Sequence, residues 1–245
     1  MKFRGGIAAA VFASALMAGM ACAGDIASVE PIGFSPDGGV FAFEEYGVLD
    51  GSGFSYSNIF FIDARKDTFL PGTPIRARIE DENAGLAKVR AQAQAKAAAL
   101  VDRYDMRDHP GLMAAFNPIT ETEVPAHRLV YRQYAVEPPV GGIFALALKE
   151  IALPSSALCR DITPQSVGFS LAFESEDGRA SDRVLHADTA IPESRKCPTG
   201  YRIGGVMVHQ PAGRDPIHIV LVQVISAGFE GSDGRWIAVP APVAP

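Results

Sequence analysis

"GFSPDGGVFAFEEYG", Gly33 to Gly47, decides the fold class. Pro36 presets φ for the second position of a turn. Asp37 has a side chain that bonds neighbouring backbone, and Gly38 accepts φ > 0. The turn delivers the chain into a period-two pattern, with Phe41 and Phe43 on one face and Ala42 and Glu44 on the other. That pattern is a strand with an aromatic face in need of burial. The motif holds no natural nucleophile or base, so its work is architectural.

Strands continue downstream. "SNIFFIDA", Ser57 to Ala64, is a second run of aromatic and β-branched residues. Asp50, Gly51 and Gly53 mark the loop between the two runs. "PIRARIE", Pro74 to Glu80, reads as a short edge strand that Pro74 opens. The texture then changes. Asn83 to Asp105 is rich in Ala, Gln, Lys and Arg, and predicts one long helix over about 83–105. Asp81, Glu82 and Asn83 stand where an N-cap and the helix dipole favour them. Leu86, Val89, Ala93, Ala97, Leu100 and Tyr104 form a thin, Ala-heavy stripe, which suits a helix lying on a sheet.

Met106 to His127 reads as a proline-broken connection in which "GLMAAF" makes a helical turn. Beyond it the chain is β again. Val167, Phe169, Leu171 and Phe173 alternate with Gly168, Ser170 and Ala172, a half-buried strand. Ile217 to Ile225 is apolar on both faces except for His218 and Gln223, so it belongs in the centre of a sheet. "QPAGRDP" joins it to Tyr201–His209 as a hairpin. The expected fold is mainly β, a β-sandwich or a distorted, propeller-like barrel, with the long helix on its surface. Residues 24–245 are expected to form a single domain with the helix as an insertion.

The first 23 residues read as a secretory signal peptide. Lys2 and Arg4 precede an apolar run, Gly6 to Met20, and Ala21-Cys22-Ala23 offers small residues at the cleavage positions. A lipoprotein acylated on Cys22 is the rival reading; Gly19 stands where a branched residue is expected for it. No later segment is apolar for long enough to span a membrane, so no transmembrane anchor is expected after cleavage. Export makes a disulfide between Cys159 and Cys197 the natural pairing. The destination is the periplasm or the exterior. A formal charge of -6 without any basic run argues against a nucleic-acid partner.

The opening stretch resembles the start of a TolB-type β-propeller blade. A related phrase, "GFEGSDGRWIAV", returns at Gly228 to Val239. Two phrases so far apart are no repeat array, so the expectation is a propeller-like hairpin near each terminus, the two meeting to close the fold. With the leader, "GFSPDGGVFAFEEYGVLDGSGFSYSNIFFID" and the terminal phrase, the chain resembles the bacterial family of predicted secreted proteins called domain of unknown function 2259. The resemblance covers nearly the whole exported chain. It implies export and brings no catalytic residues with it.

Motifs of chemistry are sparse. There is no Gly-x-Ser-x-Gly elbow, no phosphate loop and no dinucleotide fingerprint, so no catalytic residue and no cofactor is assigned. The metal candidates are His186 and Asp188, two apart on a strand and so on one face, with His209 and His218 flanking one hairpin loop. Strand-end and loop roles are the alternative. Glu44, Glu45, Asp50 and Asp63 follow no calcium loop, and the adjacent Glu44 and Glu45 face opposite ways, which disqualifies them as a glycosidase pair. The aromatics of "GFSYSNIFF", Gly53 to Phe61, offer either a ligand platform or core packing. The resulting expectation is an exported, non-enzymatic protein that binds a small ligand or an envelope protein. A periplasmic hydrolase or metal-dependent enzyme with dispersed residues is the alternative.

Overall fold

The computed structural model describes residues 24–163 and 165–243. The expected signal peptide, 1–23, and Cys22 within it lie outside the described residues. Strands β1 (Ser28–Phe34), β2 (Val40–Val48), β3 (Ser55–Asp63), β4 (Thr68–Phe69) and β5 (Ile75–Ile79) make the first antiparallel sheet. Its β1–β2 turn is the one the sequence spells. Gly38 has φ 70°, the Ser35 hydroxyl donates to Asp37 Oδ1 at 2.7 Å, and the Gly39 N–H donates to the same oxygen at 3.0 Å. β4 and β5 both pair with β3, at opposite ends of one edge.

Helix α1 (Leu86–Arg103) follows, capped by Gly85 and with no acidic residue in its first turn. The expected cap at 81–83 is displaced because Asp81 accepts the Asn83 N–H at 2.9 Å and closes a separate turn. Val89, Ala93, Ala97 and Val101 are its buried residues, packed on Ala42, Ile59 and Phe61 of the first sheet. Alanine lets the helix backbone approach the sheet closely.

β6 (Leu112–Phe116) corrects the helical turn expected at "GLMAAF": the segment pairs with a later strand, and that pairing overrides local propensity. β7 (Arg128–Arg132), β8 (Ile143–Pro154), β9 (Gln165–Glu176), β10 (Arg179–Ala180) and β11 (Val184–Ala187) build a second sheet. β12 (Pro198–His209), β13 (Ile217–Ala227) and β14 (Ser232–Pro242) join β6 in the third, ordered β14-β13-β12-β6.

The third sheet is the middle layer. From β13, Val220, Val222 and Val224 pack on Phe169, Leu171 and Phe173 of the second sheet. Ile219 and Leu221 face the other way, onto Phe41, Phe43 and Phe60 of the first sheet. Strict alternation thus gives β13 two buried faces, as its unbroken apolar text requires. The order of layers is helix, first sheet, middle sheet, second sheet. The stretches near the termini meet: the Ala27 N–H donates to Gly234 O at 3.0 Å and the Gly234 N–H to Asp25 O at 2.8 Å. The fold is mainly β and sandwich-like, and the described residues form no closed barrel. No helix among them is long and apolar enough to cross a membrane.

Candidate functional site

The middle sheet ends at β14, which pairs with β13 on one side only. The other edge of β14 is recessed between the two outer sheets. Period-two geometry sorts its backbone groups. Gly234 and Trp236 turn outward, since their N–H groups go to Asp25 O and to Glu45 Oε2, at 2.8 and 2.9 Å. By the same alternation Ala238, Pro240 and Pro242 turn outward. The two prolines have no N–H to offer there, and Pro242 O accepts from Arg183 Nη2 at 2.6 Å.

Along this edge runs a cleft of about 510 Å³ continued by a second lobe of about 360 Å³. Both lobes touch Phe60, Phe69, Ser194, Arg195, Trp236 and Ile237, which makes them one continuous feature. The volumes lie in the usual range of ligand pockets, roughly 300–1,000 Å³. One wall comes from the first sheet. There Tyr56, Asn58 and Phe60 share the face of β3 that looks away from the helix, and Arg76 and Arg78 project from β5. The opposite wall comes from His186 of β11 and the segment after it, with Pro192, Ser194, Arg195 and Lys196. The floor is Trp236, whose indole N–H donates to Ala27 O at 2.8 Å.

A disulfide secures the second wall. Cys159 and Cys197 are bonded, with Cα atoms 5.4 Å apart. This ties the loop after β8 to the residue next to Lys196. The pairing expected from export is the one the fold makes.

Basic side chains gather at the larger lobe of an acidic chain, most of them paired with carboxylates. Arg76, Arg78, Arg195, Lys196 and Arg235 line the larger lobe, against the single carboxylate Glu45. Arg195 is committed to Asp188, Arg235 to Asp25, Arg78 to Glu80 and Lys196 to Asp233. Arg76 has no such pair. Its guanidinium lies 5.9 Å from the Phe60 ring centroid and acts on the Glu45 carboxyl only from beyond ion-pair distance, with no carboxylate nearer among the described residues.

Glu45 is 3% exposed. Burial pushes its carboxyl above the usual range; the Trp236 N–H and the Asn58 amide, at 2.9 and 3.0 Å, pull the other way. Each oxygen therefore has a donor already. Glu44, one residue earlier, faces the helix and binds Arg90, Ser57 and Gln94. The two glutamates are on opposite sides of the sheet, as their adjacency dictates.

His186 and Asp188 do converge, with Nε2 to Oδ1 at 2.9 Å. Asp188 also accepts from Arg195 Nη1 at 2.6 Å and from the Phe169 N–H at 2.9 Å. The other ring nitrogen of His186 is 3.8 Å from Asp67, which belongs to the turn before β4. Hydrogen bonding to Asp188, then to Asp67, raises the imidazole to about 9. Burial pushes Asp188 up, but bonds from His186 and Arg195 outweigh it and hold the carboxyl down at about 2. His186 is thus a cation with both nitrogens facing carboxylates. A general base needs a free lone pair, so this is not the His–Asp dyad of a triad. It is an ionic clasp between the two walls.

His209 and His218 are not brought to this site or to each other. His209 stacks on Phe34 of the first sheet at 5.1 Å, and His218 is bonded to Tyr131 of the second sheet at 2.8 Å. They occupy opposite faces of the middle sheet. Among the described residues no group of three or more His, Cys, Asp or Glu is placed to hold a metal. Asp50 accepts the Glu230 N–H, and Asp63 caps the turn at Arg65.

Sequence reasoning found one wall, through "GFSYSNIFF", and missed Arg76, Arg195 and Trp236 as neighbours. A usable signal was present in "WIAVPAP": prolines at alternate positions in a strand mark an open edge.

Residues 42–241 match the model of the family domain of unknown function 2259, described as a predicted secreted protein, and the chain belongs to that family. No curated protein and no solved structure matches it.

Proposed function

We propose that this member of the family is an exported binding protein of the bacterial envelope, acting in the periplasm or beyond it, without catalysis. Its ligand is an anion with an apolar body. One observation carries the reading: a cleft floored by Trp236 and Phe60 presents the uncommitted guanidinium of Arg76 in a chain that is otherwise acidic. The acid–base groups nearby support binding over chemistry. Both oxygens of Glu45 accept from protein donors, and His186 has Nε2 bonded to Asp188 and Nδ1 3.8 Å from Asp67. We read residues 24–245 as one domain and the TolB-type likeness as confined to the turn-and-hairpin phrases.

A hydrolase is the second reading, because burial raises the Glu45 carboxyl and Glu45 lines the larger lobe. Calorimetric titration with sodium laurate, run beside turnover of chromogenic ester, phosphate and glycoside substrates, separates the two. Saturable laurate binding with no turnover is expected. Turnover that disappears in Glu45→Gln overturns the binding reading in favour of the hydrolase.

A further inference from the structure

The recessed edge of β14 offers more than an apolar slot. Between Gly234, whose N–H and C=O are taken by residues 25–27, and Pro242, whose C=O is taken by Arg183, alternation leaves four outward backbone groups. They are the C=O of Trp236, the N–H and C=O of Ala238, and the C=O of Pro240. None has a partner among the described residues, although Ala238 and Trp236 are only 7% and 5% exposed. Backbone groups this sheltered are normally paired. At Trp236 the Glu45 carboxylate stands where the carbonyl of a neighbouring strand would be.

The surroundings are those of a strand slot. Residues 236–239, with side chains on both faces of β14, all line the smaller lobe. Both outer sheets overhang that edge. A guest strand lying there would send alternate side chains toward Phe60 and Phe69 on one wall and toward Pro192 and Arg195 on the other. Both walls carry basic residues, Arg76 and Arg78 facing Arg195 and Lys196; Arg78 is paired with Glu80, Arg195 with Asp188 and Lys196 with Asp233, which leaves Arg76 as the cation that an incoming carboxylate meets.

We propose that the occupant is an extended acidic peptide segment of another protein, added antiparallel to β14 as a further strand of the middle sheet. This rests on the cleft being a binding site and names what it binds. The guest residue opposite Ala238 exchanges both hydrogen bonds with it. Guest N–H groups two residues to either side donate to Trp236 O and Pro240 O. Pro240 and Pro242 then act as a stop, since they accept but cannot donate, and pairing is limited to a few residues. An acidic guest side chain pairs with Arg76, the cation of the cleft without a carboxylate at ion-pair distance among the described residues.

The test uses three capped heptapeptides: one of alternating Glu and Val, its Lys–Val counterpart, and the Glu–Val peptide N-methylated at its central residue. Sodium laurate is the fourth probe. Trp236 emission reads occupancy and amide hydrogen exchange at Ala238 reads strand addition. The expected result is binding of the Glu–Val peptide with at least about tenfold slower exchange at Ala238. The N-methylated and Lys–Val peptides should bind at least about tenfold more weakly. Ala238→Pro removes the one outward donor without touching the β13 ladder. It should keep the fold while abolishing peptide binding. Laurate binding without peptide binding, or peptide binding that leaves Ala238 unprotected, overturns strand addition and leaves the cleft as a ligand site. Failure of all four probes overturns both readings.

Discussion

The Trp236 backbone N–H donates to the Glu45 carboxylate over 2.9 Å, joining the edge of the middle sheet to the inner face of the first. Glu45 is an acid that holds a backbone donor in a buried cleft. Glu45→Ala leaves both that N–H and the Asn58 amide unpaired, and should lower stability by about 1–3 kcal/mol. Glu45→Gln keeps an acceptor and deletes the buried charge, so it should stay within about 1 kcal/mol of the parent. Urea unfolding of the three proteins checks this, and equal losses in both variants would contradict the stated role.

The disulfide holds the wall that carries Arg195 and Lys196. The bonded pair is 38 residues apart, and cutting it should remove roughly 3–4 kcal/mol in the chain-entropy model. The double variant Cys159→Ser with Cys197→Ser should therefore melt well below the parent, and reduction of the parent should reproduce the shift. The Ser194 region should also exchange amide hydrogens faster than β13.

His218 predicts an acid limit. It is fully buried among Tyr131 and Phe144, and its Nε2 has no hydrogen-bond partner among the described residues. Burial lowers the imidazole to about 4, from its usual value of about 6.5. The unfolded chain takes up a proton between those values while the folded chain does not. Stability is therefore lost as pH falls through that window, by about 3 kcal/mol in total. His218→Gln should be less stable near neutrality but should lose about 3 kcal/mol less than the parent between pH of about 7 and about 4.

The His186 clasp has the opposite sign. Its folded value of about 9 lies above the unfolded one, so its contribution is complete below pH of about 6.5 and fades as pH rises through about 9. Denaturation midpoints of the parent should drop over that interval. His186→Gln should start lower and show a flatter profile, and parallel profiles would show that the ring is not charged in the fold.

Much of the fold was legible because its elements are locally consistent. Phe41 and Phe43 alternate with Ala42 and Glu44, β13 is apolar on both faces, and the helix stripe is written in alanines. "GLMAAF" failed because its partner, β12, is about 90 residues away and only that pairing makes it a strand. The cleft was illegible for the same reason. Phe60, Arg76, Arg195 and Trp236 come from β3, β5, the loop after β11 and β14, and no spacing in the sequence relates them. The His186–Asp188 pair was readable from its two-residue spacing. Its ionic role was not, because Asp67 and Arg195 complete it from elsewhere in the chain.

The central claim, that the cleft along β14 is a binding site for anions, is open to one direct measurement. Trp236 is the only tryptophan, and it forms the floor. Energy transfer from it to bound anilinonaphthalene sulfonate, an apolar anion, reports binding near that floor, and substitution of Arg76 assigns the signal to the cleft. The parent should show saturable transfer, and Arg76→Gln should weaken it at least about tenfold while costing no more than about 1 kcal/mol of stability. Transfer of equal strength in both proteins, or none in the parent, would contradict the account.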